Sequence, residues 1–161
     1  APVQGGDFTL IERIENVNTT TYEHQPEMGI AGCYTGTTVD SFRVNESAFS
    51  EIICVDNCPF YTLPNTFTPN GDGQNDLFRP YPYCFIESVE FQVFNRWGQL
   101  VYQTEDPELN WDGTNLSGQA LAEGVYYFTC RVFERRVSGV VPGNEVITGY
   151  IELIRGTGME I

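Results

Sequence analysis

The sequence predicts an all-β protein built as an antiparallel sandwich, and three observations carry that prediction. Apolar and polar residues alternate with period two along almost the whole chain, and no stretch shows the spacing of an amphipathic helix. Aromatic strand formers are abundant, with nine Tyr and eleven Phe, and 41% of the 161 residues are hydrophobic, enough for a packed core. Gly, Pro, Asn and Asp clusters interrupt the alternating segments at short intervals, as hairpin turns do in a sandwich.

The alternation places strands at 8–14 and 19–23, then at 32–39. A fourth at 50–55 returns after a polar turn over 43–47. Asp56, Asn57, Cys58 and Pro59 form a join. Beyond it, Tyr61, Thr62 and Leu63 read as a short strand, and 67–78 as a polar, Gly-rich loop. Residues 87–94 alternate cleanly, with Val89, Phe91 and Val93 on one face. Asn95, Arg96, Trp97 and Gly98 make a turn into a strand at 99–102, and Gly98 is expected to supply the positive φ of a tight hairpin. Trp111, Asp112 and Gly113 mark a second turn. Residues 124–133 are apolar on both faces and so are expected to be central; 146–154 form the last strand, with Ile147, Ile151 and Leu153 on its core side.

The formal net charge is −14, from 22 acids against eight bases, all of them Arg. The two halves divided at Pro59 each carry −7: nine acids and two Arg before it, thirteen acids and six Arg from it on. Acid spread this evenly keeps a protein soluble and argues against nucleic acid or anionic lipid as a partner. No run approaches the roughly 18 apolar residues of a spanning helix, so direct membrane insertion is not expected. Residues 1–6 lack the basic and apolar regions of a signal peptide, so the chain is expected either to have lost a leader or to start within a longer protein.

The five cysteines, Cys33, Cys54, Cys58, Cys84 and Cys130, form no CxxC pair, and the one histidine is His24, which argues for disulfides over zinc. Cys33 and Cys54 lie near the two ends of an expected hairpin; Cys58 is a rival partner for Cys33, and Cys84 and Cys130 are candidates to bridge later strands. The odd count leaves at least one thiol over. His24 has no nucleophile or orienting acid beside it, and G-x-S-x-G, H-E-x-x-H and phosphate-loop motifs are absent, so no enzyme is expected.

Asn70, Asp72, Gln74 and Asp76 alternate with small residues, so their oxygens are candidate calcium ligands. The stretch departs from a calcium loop in two places: Asn75 stands where Gly is wanted and Tyr81 where the bidentate Glu is wanted. The competing explanation is a turn in which Asn and Asp cap the backbone while Gly71 and Gly73 take positive φ. No cofactor is required by any motif; calcium is the one candidate. For Asn95, Arg96 and Trp97 the structural expectation is that Asn95 caps the turn and Trp97 folds back on the sheet, while an exposed Arg/Trp pair would suit a binding hot spot. Trp111 is expected to plug the end of the sandwich.

Two resemblances follow from the motifs. Gly32-Cys33-Tyr34, Val39-Asp40-Ser41, Asn45-Glu46-Ser47 and Ser50 resemble the last hairpin of a fibronectin type III domain, which makes residues 1–57 a partial, truncated fibronectin type III-like β unit. The second series runs from Leu63-Pro64-Asn65-Thr66-Phe67-Thr68-Pro69-Asn70-Gly71-Asp72-Gly73-Gln74-Asn75-Asp76 through Phe94-Asn95-Arg96-Trp97-Gly98, Trp111-Asp112-Gly113-Thr114 and Gly124-Val125-Tyr126-Tyr127 to Gly149-Tyr150-Ile151-Glu152-Leu153-Ile154-Arg155. In order and spacing it resembles the gliding motility-associated C-terminal domain, the type B sorting domain of Bacteroidetes type IX secretion.

That resemblance implies an immunoglobulin-like sandwich over 58–155, followed by a short tail at 156–161. It implies a non-catalytic secretion signal that directs a large cargo protein through periplasm and outer membrane to the cell surface or medium. Its partners would be type IX components: a SprA-like barrel, a PorV-like shuttle and a PorP/SprF-like outer-membrane protein. The partner-reading candidates are Phe67, Thr68, Pro69, Asn70, Gly71, Asp72, Gly73, Asn75, Asp76, Asn95, Arg96, Trp97 and Arg155. Arg155 is otherwise a solvated terminal charge. The rival function is an adhesive or carbohydrate-binding extracellular β module.

Overall fold

The computed structural model describes residues 8–16, 18–25, 31–40, 42 and 45–156. Among them are nine strands and no helix: β1 (Gly32–Tyr34), β2 (Ile53–Val55), β3 (Phe60–Tyr61), β4 (Thr66–Phe67), β5 (Tyr83–Cys84), β6 (Ile86–Phe94), β7 (Leu100–Thr104), β8 (Gly124–Arg136) and β9 (Gly139–Leu153). The chain divides into two compact units, Ala1–Cys58 with Arg136–Gly139, and Pro59–Arg135 with Val140–Ile161.

In the first unit β1 and β2 pair antiparallel, with Cys33 directly opposite Cys54 and joined to it by a disulfide. A lone bridge joins Val39 to Glu46. Asn57, buried, accepts the Ala31 amide on its side-chain oxygen at 3.1 Å and a guanidinium N–H of Arg136 on its carbonyl at 3.0 Å. The strands expected at 8–14 and 19–23 do not form. Leu10, Ile11 and Ile14 stay largely exposed, so alternation there has no partner strand and no face to bury. The turn at 43–47 falls partly outside the described residues, as do residues 1–6 and most of the 156–161 tail. The likeness to fibronectin type III is one of sequence motifs.

The second unit is built on one five-stranded sheet in the order β4-β9-β8-β6-β7. β6 pairs antiparallel with both β7 and β8, and β4 runs parallel to β9. Period-two alternation decides its faces: Val89, Phe91 and Val93 from β6, Tyr126, Phe128, Cys130 and Val132 from β8, and Ile151 and Leu153 from β9 are all buried. The second layer is short elements rather than a matching sheet. It consists of the β3–β5 ribbon and the bridges Phe78–Trp111 and Thr114–Ala120, and its Phe78, Leu109 and Trp111 close the core together with Phe67 of β4. Trp111 is fully buried among Phe67, Tyr102 and Tyr126, with ring centroids 5.2, 5.5 and 6.0 Å away, and its indole N–H reaches the Thr114 carbonyl at 2.8 Å.

Three corrections concern strand ends and faces. The last strand begins at Gly139, seven residues before the expected start, and runs through Pro142. The first short strand is Phe60–Tyr61, one residue earlier than expected. β8 is central in the sheet, but Val125 and Tyr127 on its outer face are exposed, so that face is uncovered.

Candidate functional site

Topology gathers the candidate residues at one end of the sheet. β4 and β9 run parallel, β9 runs back from β8 through a tight turn at Val137 and Ser138, and β6 opposes β8. The exits of β4, β9 and β6 therefore share an end. From those exits come the 68–76 loop, Arg155 and the Asn95–Gly98 turn. Burial raises the Tyr126 phenol above its ordinary pKa, while the charges of Arg155 and Arg96 both pull it down.

The 68–76 loop is held by its own backbone. Thr68 N–H donates to the Asn75 carbonyl at 2.9 Å, and Asn70 N–H to the Thr68 carbonyl at 2.8 Å. Gly71, Gly73 and Asn75 take φ of 81°, 83° and 52°. Asp76 turns inward: its two carboxylate oxygens accept the Gly71 amide at 2.6 Å and the Gly73 amide at 2.8 Å. Those bonds, from Gly71 first, then Gly73, hold its carboxyl below the usual carboxylate range. Asp72 accepts the Gln74 amide at 2.8 Å and the Asn70 side-chain N–H at 3.0 Å, and Asn70 returns an oxygen to the Asp72 amide at 3.0 Å. The oxygens of Asn70, Asp72 and Asp76 are thus each committed to the loop itself. No group of three or more His, Cys, Asp or Glu is placed to hold a metal among the described residues.

Phe67 is not at this surface. It is buried on the inner side of β4, against Phe78 and Trp111, and supports the loop from beneath. Its register opposite Leu153 turns its ring to the core. A cleft of about 640 Å³ opens beside β4 and the loop, lined by Thr66, Gly73, Asn75, Asp76, Arg79 and Tyr81, among others.

Arg155 is no solvated terminus. Its Nε donates to the Leu121 carbonyl at 3.0 Å, one terminal nitrogen to Gly113 at 3.0 Å and the other to Pro69 at 3.5 Å. One planar fork so ties the 68–76 loop to two points of the β7–β8 connection. Gly113 is buried at φ 78°, and a Cβ there would lie 2.8 Å from Leu153 Cδ1 and 3.2 Å from the guanidinium. Three tyrosine hydroxyls act alike on neighbouring loops: Tyr61 to the Pro107 carbonyl at 2.6 Å, Tyr102 to Leu109 at 2.8 Å and Tyr126 to Ala122 at 2.8 Å. Sequence reading missed Gly113 and the tyrosines as ties; the only available signal was Gly after Trp-Asp.

At the β6–β7 turn, Asn95 caps as expected, its side-chain oxygen accepting the Trp97 and Gln99 amides at 3.0 Å each, and Gly98 has φ 76°. Trp97 does not fold back on the sheet. It is 76% exposed, with the Arg96 guanidinium 5.3 Å from its ring centroid.

The remaining cysteines are free: Cys58 exposed, Cys84 half-buried, Cys130 buried. The Cys84–Cys130 bridge is not formed, because Cys130 points into the core from β8 while Cys84 lies on the β3–β5 ribbon. Burial pushes the Cys130 thiol up to about 12. His24 stacks on the Tyr22 ring at 6.4 Å and meets the Tyr34 ring edge-on at 5.7 Å.

Residues 61–153, more than half of the chain, match the family model of the CHU_C type IX secretion signal domain. The match begins at Tyr61 and ends at Leu153, so it spans the five-stranded sheet and the end loops. No curated protein matches the chain.

Proposed function

The chain belongs to the CHU_C type IX secretion signal domain family, and on that membership we propose that it directs a large cargo protein through the type IX outer-membrane translocon by way of the periplasm. A signal domain of this family sorts rather than catalyses, engages the type IX machinery and leads to export to the cell surface or medium. The proposed partners are the SprA-like barrel, the PorV-like shuttle and the PorP/SprF-like outer-membrane protein. The single observation that carries the reading is the family match over the whole sheet. The clustering of the 68–76 loop, the Arg96/Trp97 turn and the Arg155 clasp at one end supports a surface read as a folded object, because side chains distant in sequence meet there only in the folded state.

The calcium candidates Asn70, Asp72, Gln74 and Asp76 belong to this proposal as ligands that would act on a loop already closed by its own amides. Titration calorimetry with calcium tests them: heat absent in the native chain removes the ion. For the function, residues 59–161 are fused to a periplasmic reporter in a type IX-competent host. Export of the reporter is expected; retention in the periplasm, while a longer tail is exported, sinks the assignment to this module.

A further inference from the structure

β9 is an edge strand for most of its length. Only Glu152 and Leu153 of its fifteen residues have partners in β4, and β8 covers the other side. The Glu152 and Ile154 amides donate to the Asn65 and Phe67 carbonyls on the β4 side. Backbone groups of a strand alternate in direction, so Asn144, Val146, Thr148 and Tyr150 present their N–H and C=O groups to that same open side. Pro142 shares their parity. Its missing N–H therefore faces outward, where a proline costs the ladder nothing, and this is why the strand runs through it.

The usual protections of an open edge are thin here. The chain has no Lys, and the edge from Asn144 to Tyr150 has neither a proline nor a bulge cover, with Val146, Thr148 and Tyr150 exposed on its outer face. β4 shows what the edge accepts: a short segment lying parallel to β9.

Resting on the secretion reading, we propose that the β9 edge from Asn144 to Tyr150 is a docking site for an extended strand of the type IX receptor, added to the sheet in line with β4. The four outward residues supply its main-chain hydrogen bonds, and Val146 and Tyr150 supply apolar contact for alternate side chains. Charge complementarity selects the occupant. Glu145 and Glu152 lie on opposite faces of β9 in a chain of net charge −14, so the added strand carries Lys or Arg beside its apolar residues.

The test uses the 161-residue chain fused behind a periplasmic reporter in a type IX-competent host. Export of the wild-type fusion upholds the secretion reading, and failure of that fusion overturns both claims together. Val146→Pro and Thr148→Pro remove an outward N–H each while leaving the β8 ladder intact. Each is expected to cut export by about tenfold or more, with thermal melting like wild type. Wild-type export by either folded variant overturns the docking site alone. If a variant melts early, amide exchange on the wild-type chain decides: outer-membrane vesicles from the host are expected to slow exchange at Asn144, Val146, Thr148 and Tyr150. Unchanged exchange, or slowing that follows chain concentration without vesicles, overturns the proposal, the latter assigning the edge to self-association.

Discussion

Arg155 donates a guanidinium N–H to the carbonyl of Gly113 at 3.0 Å, and Gly113 is the one residue type that lets the two approach. The same side chain holds the Leu121 and Pro69 carbonyls, so the β7–β8 connection and the 68–76 loop share a single cationic tie at one end of the sandwich.

Arg155→Ala is expected to destabilise the second unit by about 1.5–3 kcal/mol, the range for hydrogen bonds from a charged donor. Arg155→Lys keeps the charge but loses the fork that spans three acceptors, so it should melt nearer to the alanine variant than to wild type. Calorimetric melting checks this; a lysine variant as stable as wild type would remove the clasp.

Gly113→Ala meets two penalties at once. The φ of 78° is strained for an L-residue, and the new Cβ would crowd Leu153 at 2.8 Å. A loss of more than about 1 kcal/mol is expected in denaturant melts. The clash also pushes on Arg155, so Gly113→Ala and Arg155→Ala together should cost less than the sum of the two. Additive losses would show that they act separately.

These relationships mark how far the sequence could be read. Val89, Phe91 and Val93 were legible because alternation is local, and the structure buries all three. The first half of β9 was not, since Pro142 breaks a strand unless its nitrogen faces an open edge, and the edge is set by the sheet order. Phe67 looked like part of a surface motif because its neighbours are polar; only its pairing opposite Leu153 turns it inward. The Arg155 acceptors come from positions 69, 113 and 121, and no local pattern links them. Trp97 was misplaced for the opposite reason: turn chemistry predicts the backbone of Asn95 and Gly98 and says nothing of where an indole beyond the core will rest.

Asp76 predicts a pH response. Its folded pKa lies below its unfolded one because amides of Gly71 and Gly73 stabilise the carboxylate. Its contribution to the loop is therefore complete above the unfolded value, near 3.9, and is lost as pH falls through the lowered folded value. The Gly71 and Gly73 amide resonances should titrate with a midpoint below that of an ordinary Asp, and Asp76→Asn should abolish the titration. A midpoint at the ordinary value would mean that the bonds do not persist in solution.

Trp97→Ala is expected to leave stability within about 0.5 kcal/mol of wild type, as for surface sites generally, since the ring is 76% exposed. On the proposed function it should nonetheless reduce export of a fused reporter. Undiminished export would take the Arg96/Trp97 pair out of the recognised surface.

The thiols should react in the order of their exposure. Cys58 is expected to be alkylated in the native chain at neutral pH, while Cys130, buried and with its thiol pushed up to about 12, reacts only on unfolding. Mass spectrometry of pulse-labelled protein reads this directly, and early labelling of Cys130 would contradict its place in the core.

The position of β9 between β4 and β8 has a consequence for timing. Thr66 and Phe67 find their partners only in Glu152 and Leu153, so the sheet remains open on that side until almost the whole domain has left the ribosome. The loops tied by Arg155 assemble later still. A nascent or shortened polypeptide therefore displays no finished end surface, and on the proposed function a receptor that reads that surface would read completeness as well as destination.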